Sequence, residues 1–181
     1  MGIRPSFLLW VTFAAVAALC LPALPFVQGG ANATDKSIAA QRKGSGLPIP
    51  RFASLRSDEV NVRTGPGTRY PVDWVFKRKG MPVEIVAEYE NWRKIRDWQG
   101  ASGWVHQSLL TGKRSFIIGS KAANLHRTPA NSAEVVAKLE PEVMGEIRSC
   151  AGDWCRVRVS GVSGWIERAR LWGVYKSEPI N

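Results

Sequence analysis

The side chains with the most reactive chemistry to offer are few. Cys150 and Cys155 lie five residues apart, and His106 and His126 stand alone, with no neighbouring acid and no second histidine at metal-ligand spacing. A cysteine nucleophile needs a partnering histidine, and nothing in the pattern gives either histidine that role; both read as ordinary polar positions. The chain also offers no zinc set and no paired acids on a catalytic motif. It is therefore expected to bind rather than to catalyse, and no cofactor or metal is expected.

Binding chemistry is carried by aromatic and basic side chains. The stretch from Trp92 to Val105, W-R-K-I-R-D-W-Q-G-A-S-G-W-V, returns one residue shorter from Trp154 to Ile166 as W-C-R-V-R-V-S-G-V-S-G-W-I. An internal repeat of this kind points to two copies of one small unit. Strand alternation groups Trp92 with Lys94 and Arg96, opposite Ile95, and Trp154 with Arg156 and Arg158, opposite Val157 and Val159. An outward ring beside cationic heads would stack on a sugar or peptide and pair with carboxylates. A bulge after each turn would instead rotate the ring into the core, with the basic stems packed over it. The core reading is preferred for Trp92 and Trp154, because small barrels need large core side chains. Trp104 and Trp165, each after a glycine that lets strands approach closely, read as structural too.

The elements that must position these residues are short strands. E-V-N-V-R-T from Glu59 alternates and breaks at Gly65-Pro66-Gly67; D-W-V-F-K-R-K-G, P-V-E-I-V-A-E-Y-E, N-W-R-K-I-R-D-W and G-A-S-G-W-V-H-Q follow with turn signals between them. Such a series describes a small all-β barrel or sandwich, with Ser108-Leu109-Leu110 able to close one helical turn. Phe116-Ile117-Ile118 is either a linker or the strand joining the repeats. The second copy starts at Asn124, where His126 stands in the place of Arg63 and Thr128-Pro129-Ala130 in the place of Gly65-Pro66-Gly67. Losing both glycines is expected to change the backbone angles open to that loop.

Compartment follows from the first residues. Arg4, an uncharged apolar run from Phe7 to Leu21, Pro22 and Pro25, and Ala31-Asn32-Ala33 form the three-part pattern of a secretory signal peptide, cleaved after Ala33. An uncleaved anchor is the alternative, since the apolar run extends to Val27; the two prolines favour cleavage. Residues 34–50 are small and polar and read as a flexible tether. Cleavage leaves 148 residues (181 minus 33) and removes Cys20, so that Cys150 and Cys155 remain as a pair, most simply a disulfide in an exported chain. The net charge of +10 falls to +9 with the loss of Arg4. Residues 61–114 hold ten Lys or Arg against five acids and residues 115–181 nine against seven, so the charge is concentrated in the first copy. Anionic envelope ligands suit that surface, and export argues against nucleic acid.

Asn61-Val62-Arg63 with Gly65-Pro66-Gly67, the Trp92 strand and Gly103-Trp104-Val105 resemble the bacterial SH3 (SH3b-like) domain family. The pattern covers residues 52–114 closely and residues 115–175 more weakly. The resemblance implies two tandem five-stranded SH3-like barrels, residues 51–114 and 115–181, the second degenerate. It also implies variable loops that bind a peptidoglycan stem peptide or an envelope protein. With the signal cleaved, the chain is expected in the periplasm or outside the cell, with no stable membrane insertion. A structural adaptor that holds envelope proteins without touching the wall is the alternative.

Arg63, Arg69 and Tyr70 flank the first glycine loop and are the leading ligand contacts; the bland reading is a solvated loop that the arginine braces. Trp98, like Trp74 and Trp172, has no counterpart in the other copy. It sits beside Asp97 in a turn, where either the other repeat or a ligand would cover it. Setting Trp92 against Trp154 puts Cys150 and Cys155 opposite Glu88 and Arg93, so that one hairpin is closed in two ways. A six-residue covalent loop is worth roughly 2 kcal/mol and an exposed ion pair about 1 kcal/mol at most.

Overall fold

The computed structural model describes residues 44–181; the signal peptide expected at 1–33 and most of the tether lie outside the described residues. The chain forms two seven-stranded antiparallel sheets in tandem. The first contains β1 (Arg51–Leu55), β2 (Val60–Arg63), β3 (Val72–Phe76), β4 (Pro82–Tyr89), β5 (Trp92–Arg96), β6 (Ser102–His106) and β7 (Leu110–Thr111). The second contains β8 (Ser115–Ile118), β9 (Ala123–His126), β10 (Val135–Leu139), β11 (Met144–Ala151), β12 (Trp154–Val159), β13 (Val162–Glu167) and β14 (Leu171–Trp172). Strand order is β3-β2-β6-β5-β4-β1-β7 in one and β10-β9-β13-β12-β11-β8-β14 in the other, the same path traced twice. A single 3₁₀ turn precedes the last strand in each, Gln107–Leu109 and Arg168–Arg170.

Seven strands stand where five are expected, for two reasons. The last strand of each unit is only two residues long. The first, β1 or β8, has almost every residue buried, so it shows no apolar–polar alternation. Ala53 and Leu55 enter the core of their own barrel, while Phe52 meets Trp172 edge-on at 5.0 Å and Tyr175 at 4.7 Å in the other. Phe116-Ile117-Ile118 is thus the opening strand of the second unit.

Each barrel buries one side of its strands. Leu55, Val60, Val62, Val83, Ile85, Ile95 and Val105 form the first core; Phe116, Ile118, Leu125, Val157 and Ile166 anchor the second. Trp92 and Trp154 are in neither core, which corrects the preference stated above. The bulges in β4 and β11, between Ile85 and Ala87 and between Ile147 and Ser149, fall on the neighbouring strand and leave the alternation of β5 and β12 intact. Ile95 and Val157 therefore take the core and the tryptophans stay on the outer face.

The disulfide Cys150–Cys155 is present, and its Cα partners occupy the register that Glu88 and Arg93 hold in the first barrel. The Glu88–Arg93 pair, expected on the surface, is buried instead, with side chains 8% and 5% exposed and Arg93 Nε 3.1 Å from the carboxylate.

Candidate ligand-binding site

The outer face of β5, β6 and β2 sets the Trp92 ring edge-on to His106 at 5.4 Å, because the two residues are cross-strand partners. Arg63 enters from β2, paired in register with Trp104. Asn61, Arg63, Thr68, Trp92, His106 and Leu109 line a shallow groove of about 180 Å³. No carboxylate is among these lining residues. The Arg63 guanidinium donates through Nη1 to the carbonyls of Thr68 at 3.2 Å and Tyr70 at 2.7 Å. It thus braces the glycine loop with one nitrogen, while its remaining donors have no partner among the described residues.

On the rim, Arg69 lies over the Tyr70 ring at 5.2 Å, and its hydrogen bond to the Tyr70 hydroxyl raises an already high guanidinium pKa. The Tyr70 ring packs flat against Gly65, where a Cβ would come within 2.4 Å of it. Neither Gly65 nor Gly67 has a positive φ. The loop therefore needs glycine for room beneath a ring, not for special backbone angles as expected above.

Arg63, Arg69 and Tyr70 are thus brought together. Trp98 is not: it follows β5, six residues from Trp92 and on the order of 15–20 Å away at strand rise. There it packs half-buried against the core of its own barrel, above a turn in which Asp97 accepts from the amides of Gln99 and Ala101. Trp92 and His106 line the groove beyond the residues expected of it. The signal was available in the alternation that put Trp92 with Lys94 and Arg96, and the register pairing His106 with Trp92 was not.

The second barrel repeats the groove, lined by Ala122, Ala123, Asn124, His126, Asn131, Glu167 and Arg170, about 310 Å³ in volume. Asn124, His126 and Asn131 replace Asn61, Arg63 and Thr68, and Glu167 replaces His106 opposite the tryptophan of β12. His126 also inherits the brace: its Nδ1 lies 3.0 Å from the Ala133 carbonyl, seven residues on, as Tyr70 is from Arg63. It meets Trp154 edge-on at 5.6 Å. Arg170 is tied to Glu167 at 3.4 Å, so this groove is close to neutral where the first is cationic.

Among the described residues no group of His, Cys, Asp and Glu is arranged to hold a metal ion, and no helix is long and apolar enough to cross a membrane.

The family model of the bacterial SH3 domain matches the chain twice, over residues 56–112 and 119–173. Over 125 residues the sequence is 26% identical to YrvJ of Bacillus subtilis (strain 168), which carries the name of an N-acetylmuramoyl-L-alanine amidase; the match takes in 63% of this chain and 24% of that protein. The chain thus spans about a quarter of that relative. Similar solved structures are NlpC2 of Trichomonas vaginalis, at TM-score 0.34 and 13% identity over 73% of this chain and 51% of that one. An NlpC/P60 family protein of Bacillus cereus ATCC 10987 has TM-score 0.31 and 14% identity over 72% and 58%.

Proposed function

The chain belongs to the bacterial SH3 domain family, and from that premise we propose that it is an exported, non-catalytic protein that binds an anionic cell-envelope ligand, a peptidoglycan stem peptide or a protein partner, through its first barrel. The observation that carries this reading is the difference between the two grooves. The same architecture is built twice, and only the first has a cation, Arg63, facing an aromatic wall with no acid to neutralise it. Arg69 and Tyr70 on the rim extend the contact, while Trp98 braces the barrel behind it. Carboxylates of a stem peptide would pair with Arg63, and its backbone or a sugar would lie on Trp92.

The amidase name of the YrvJ relative supports a cell-wall setting. That relative extends well beyond the matched region, so the binding reading rests on the barrels alone. The non-catalytic reading is supported by Cys150 and Cys155, the cysteines among the described residues, being joined in a disulfide.

Sedimentation with purified sacculi at low and high salt tests the proposal. Binding is expected at low salt, weakened by salt and about tenfold or more by Arg63→Ala. No binding at low salt would overturn the wall-ligand version and leave a structural adaptor. Release of muramyl-peptide fragments in the same tubes would overturn the non-catalytic part.

A further inference from the structure

A larger cavity, about 630 Å³, lies at the seam between the barrels and away from both grooves. Its volume falls in the range of small-ligand sites, roughly 300–1,000 Å³. Met144 supplies apolar surface to it and packs against the first barrel's core although it belongs to β11; Leu55 lies buried beneath. Arg56, Lys79 and Lys113 stand around it, and none forms an ion pair among the described residues. The one carboxylate in the lining, Glu146, is held by Arg148 at 2.7 Å. Arg114 also lines the cavity with its terminal nitrogens bonded to Glu178 and to the Gly173 carbonyl, while its Nε is buried without an acceptor.

The cations sit on fixed backbone. The turn carrying Lys79 is closed by Met81 N–H to Arg78 O and bound to β1 through Gly80 N–H to Leu55 O at 2.9 Å. The Lys113 carbonyl accepts from Ser54 Oγ at 2.8 Å, and Ser54 is hydrogen-bonded in turn to Ser115 of the other barrel.

We propose that this cleft is a second binding site, made by both barrels together, for a short peptide bearing at least two carboxylates. Convergent donors would be expected for a compact phosphate. Here the charges come from three separate segments around Met144, which matches carboxylates spread along a chain whose middle lies on that side chain. The inference is independent of the groove on β5 and β6, and no residue is shared between them.

The test uses methionine methyl resonances of the full chain, titrated with the capped tripeptide Glu-Ala-Glu. Met144 lines the cleft and Met81 lies in the first core, so the second reports folding while the first reports binding. Saturable movement of Met144 alone is expected, with Lys79→Glu combined with Lys113→Glu weakening it about tenfold or more. The proposal is overturned if Met144 stays put at millimolar peptide, or if the Gln-Ala-Gln peptide binds as well. It is also overturned if tripolyphosphate moves the same resonance with equal affinity, since the cleft would then be a general anion site.

Discussion

Gly65 and Tyr70 are one device in two residues. The ring lies where the glycine's side chain would be, and the second barrel, with Ala133 in the place of Tyr70, carries Thr128 in the place of Gly65. Gly65→Ala should therefore displace the ring and cost the first barrel about 1–3 kcal/mol, as overpacking does. Adding Tyr70→Ala should return part of that loss, so that urea midpoints of the two single variants and the double show a coupling of opposite sign to the first cost. Additive losses would mean that ring and glycine do not compete for the same space. The sequence shows the loop and its neighbours Arg63, Arg69 and Tyr70 plainly, because Gly-Pro-Gly after an alternating strand has one reading. It does not show why the glycines are there, since a steric demand made by a residue five positions away leaves no local mark.

At the level of elements, the two hairpins are closed by unlike means in the same register. Arg93 is 4% exposed and donates to the Glu90 and Trp92 carbonyls and to Gln107 as well as meeting Glu88. Truncating one member of a buried ion pair costs about 3–5 kcal/mol, whereas opening a six-residue covalent loop costs roughly 2 kcal/mol. Arg93→Ala should therefore lower the denaturation midpoint of the chain by more than reduction of Cys150–Cys155 does. That order is the reverse of what an exposed pair would give.

Glu88 adds a pH dependence. Burial alone would raise its pKa, but the hydrogen bonds from Arg51 and Ser45 outweigh burial and hold it below 4.5. Its contribution is thus present above pH 4.5 and lost as pH falls through the folded value. Unfolding curves of Glu88→Gln should converge on those of the parent in acid and separate from them at neutral pH. Strands β2–β6 are legible from alternation and turns, and β9–β13 follow from the repeat. The opening strands β1 and β8 are obscured because their second face is buried against the other barrel, with small Ser54 and Ser115 meeting there, and no apolar–polar period survives when both faces are buried.

For the whole molecule, the consequence is that two barrels with separate cores share a seam tied by the last residues of the chain. The Tyr175 hydroxyl donates to Glu84 of β4 at 2.7 Å, its ring packs on Phe52, and Arg114 at the junction pairs with Glu178. Met144 crosses in the other direction to the first core. Such ties should couple the barrels, so that calorimetry of the parent gives one unfolding transition. Phe52→Ala, which removes a buried ring at a cost of about 3–5 kcal/mol, should split it into two.

Tyr175 offers a subtler test of the same coupling. Burial, then the hydrogen bond and charge of Glu84, push its pKa well above the ordinary 10.0. The folded chain therefore keeps the proton that the unfolded chain gives up, and the contribution is whole below pH 10 and lost as pH rises beyond it. Tyr175→Phe keeps the ring against Phe52 and removes only the hydroxyl. At pH 8 it should cost about 0.5–1.5 kcal/mol, the net worth of one hydrogen bond. At pH 11 the parent should have lost much of its advantage, because the phenylalanine variant has no proton to release at that position. Equal differences at both pH values, measured by chemical denaturation, would mean that the hydroxyl is not buried against Glu84 and that the seam is held by the rings alone.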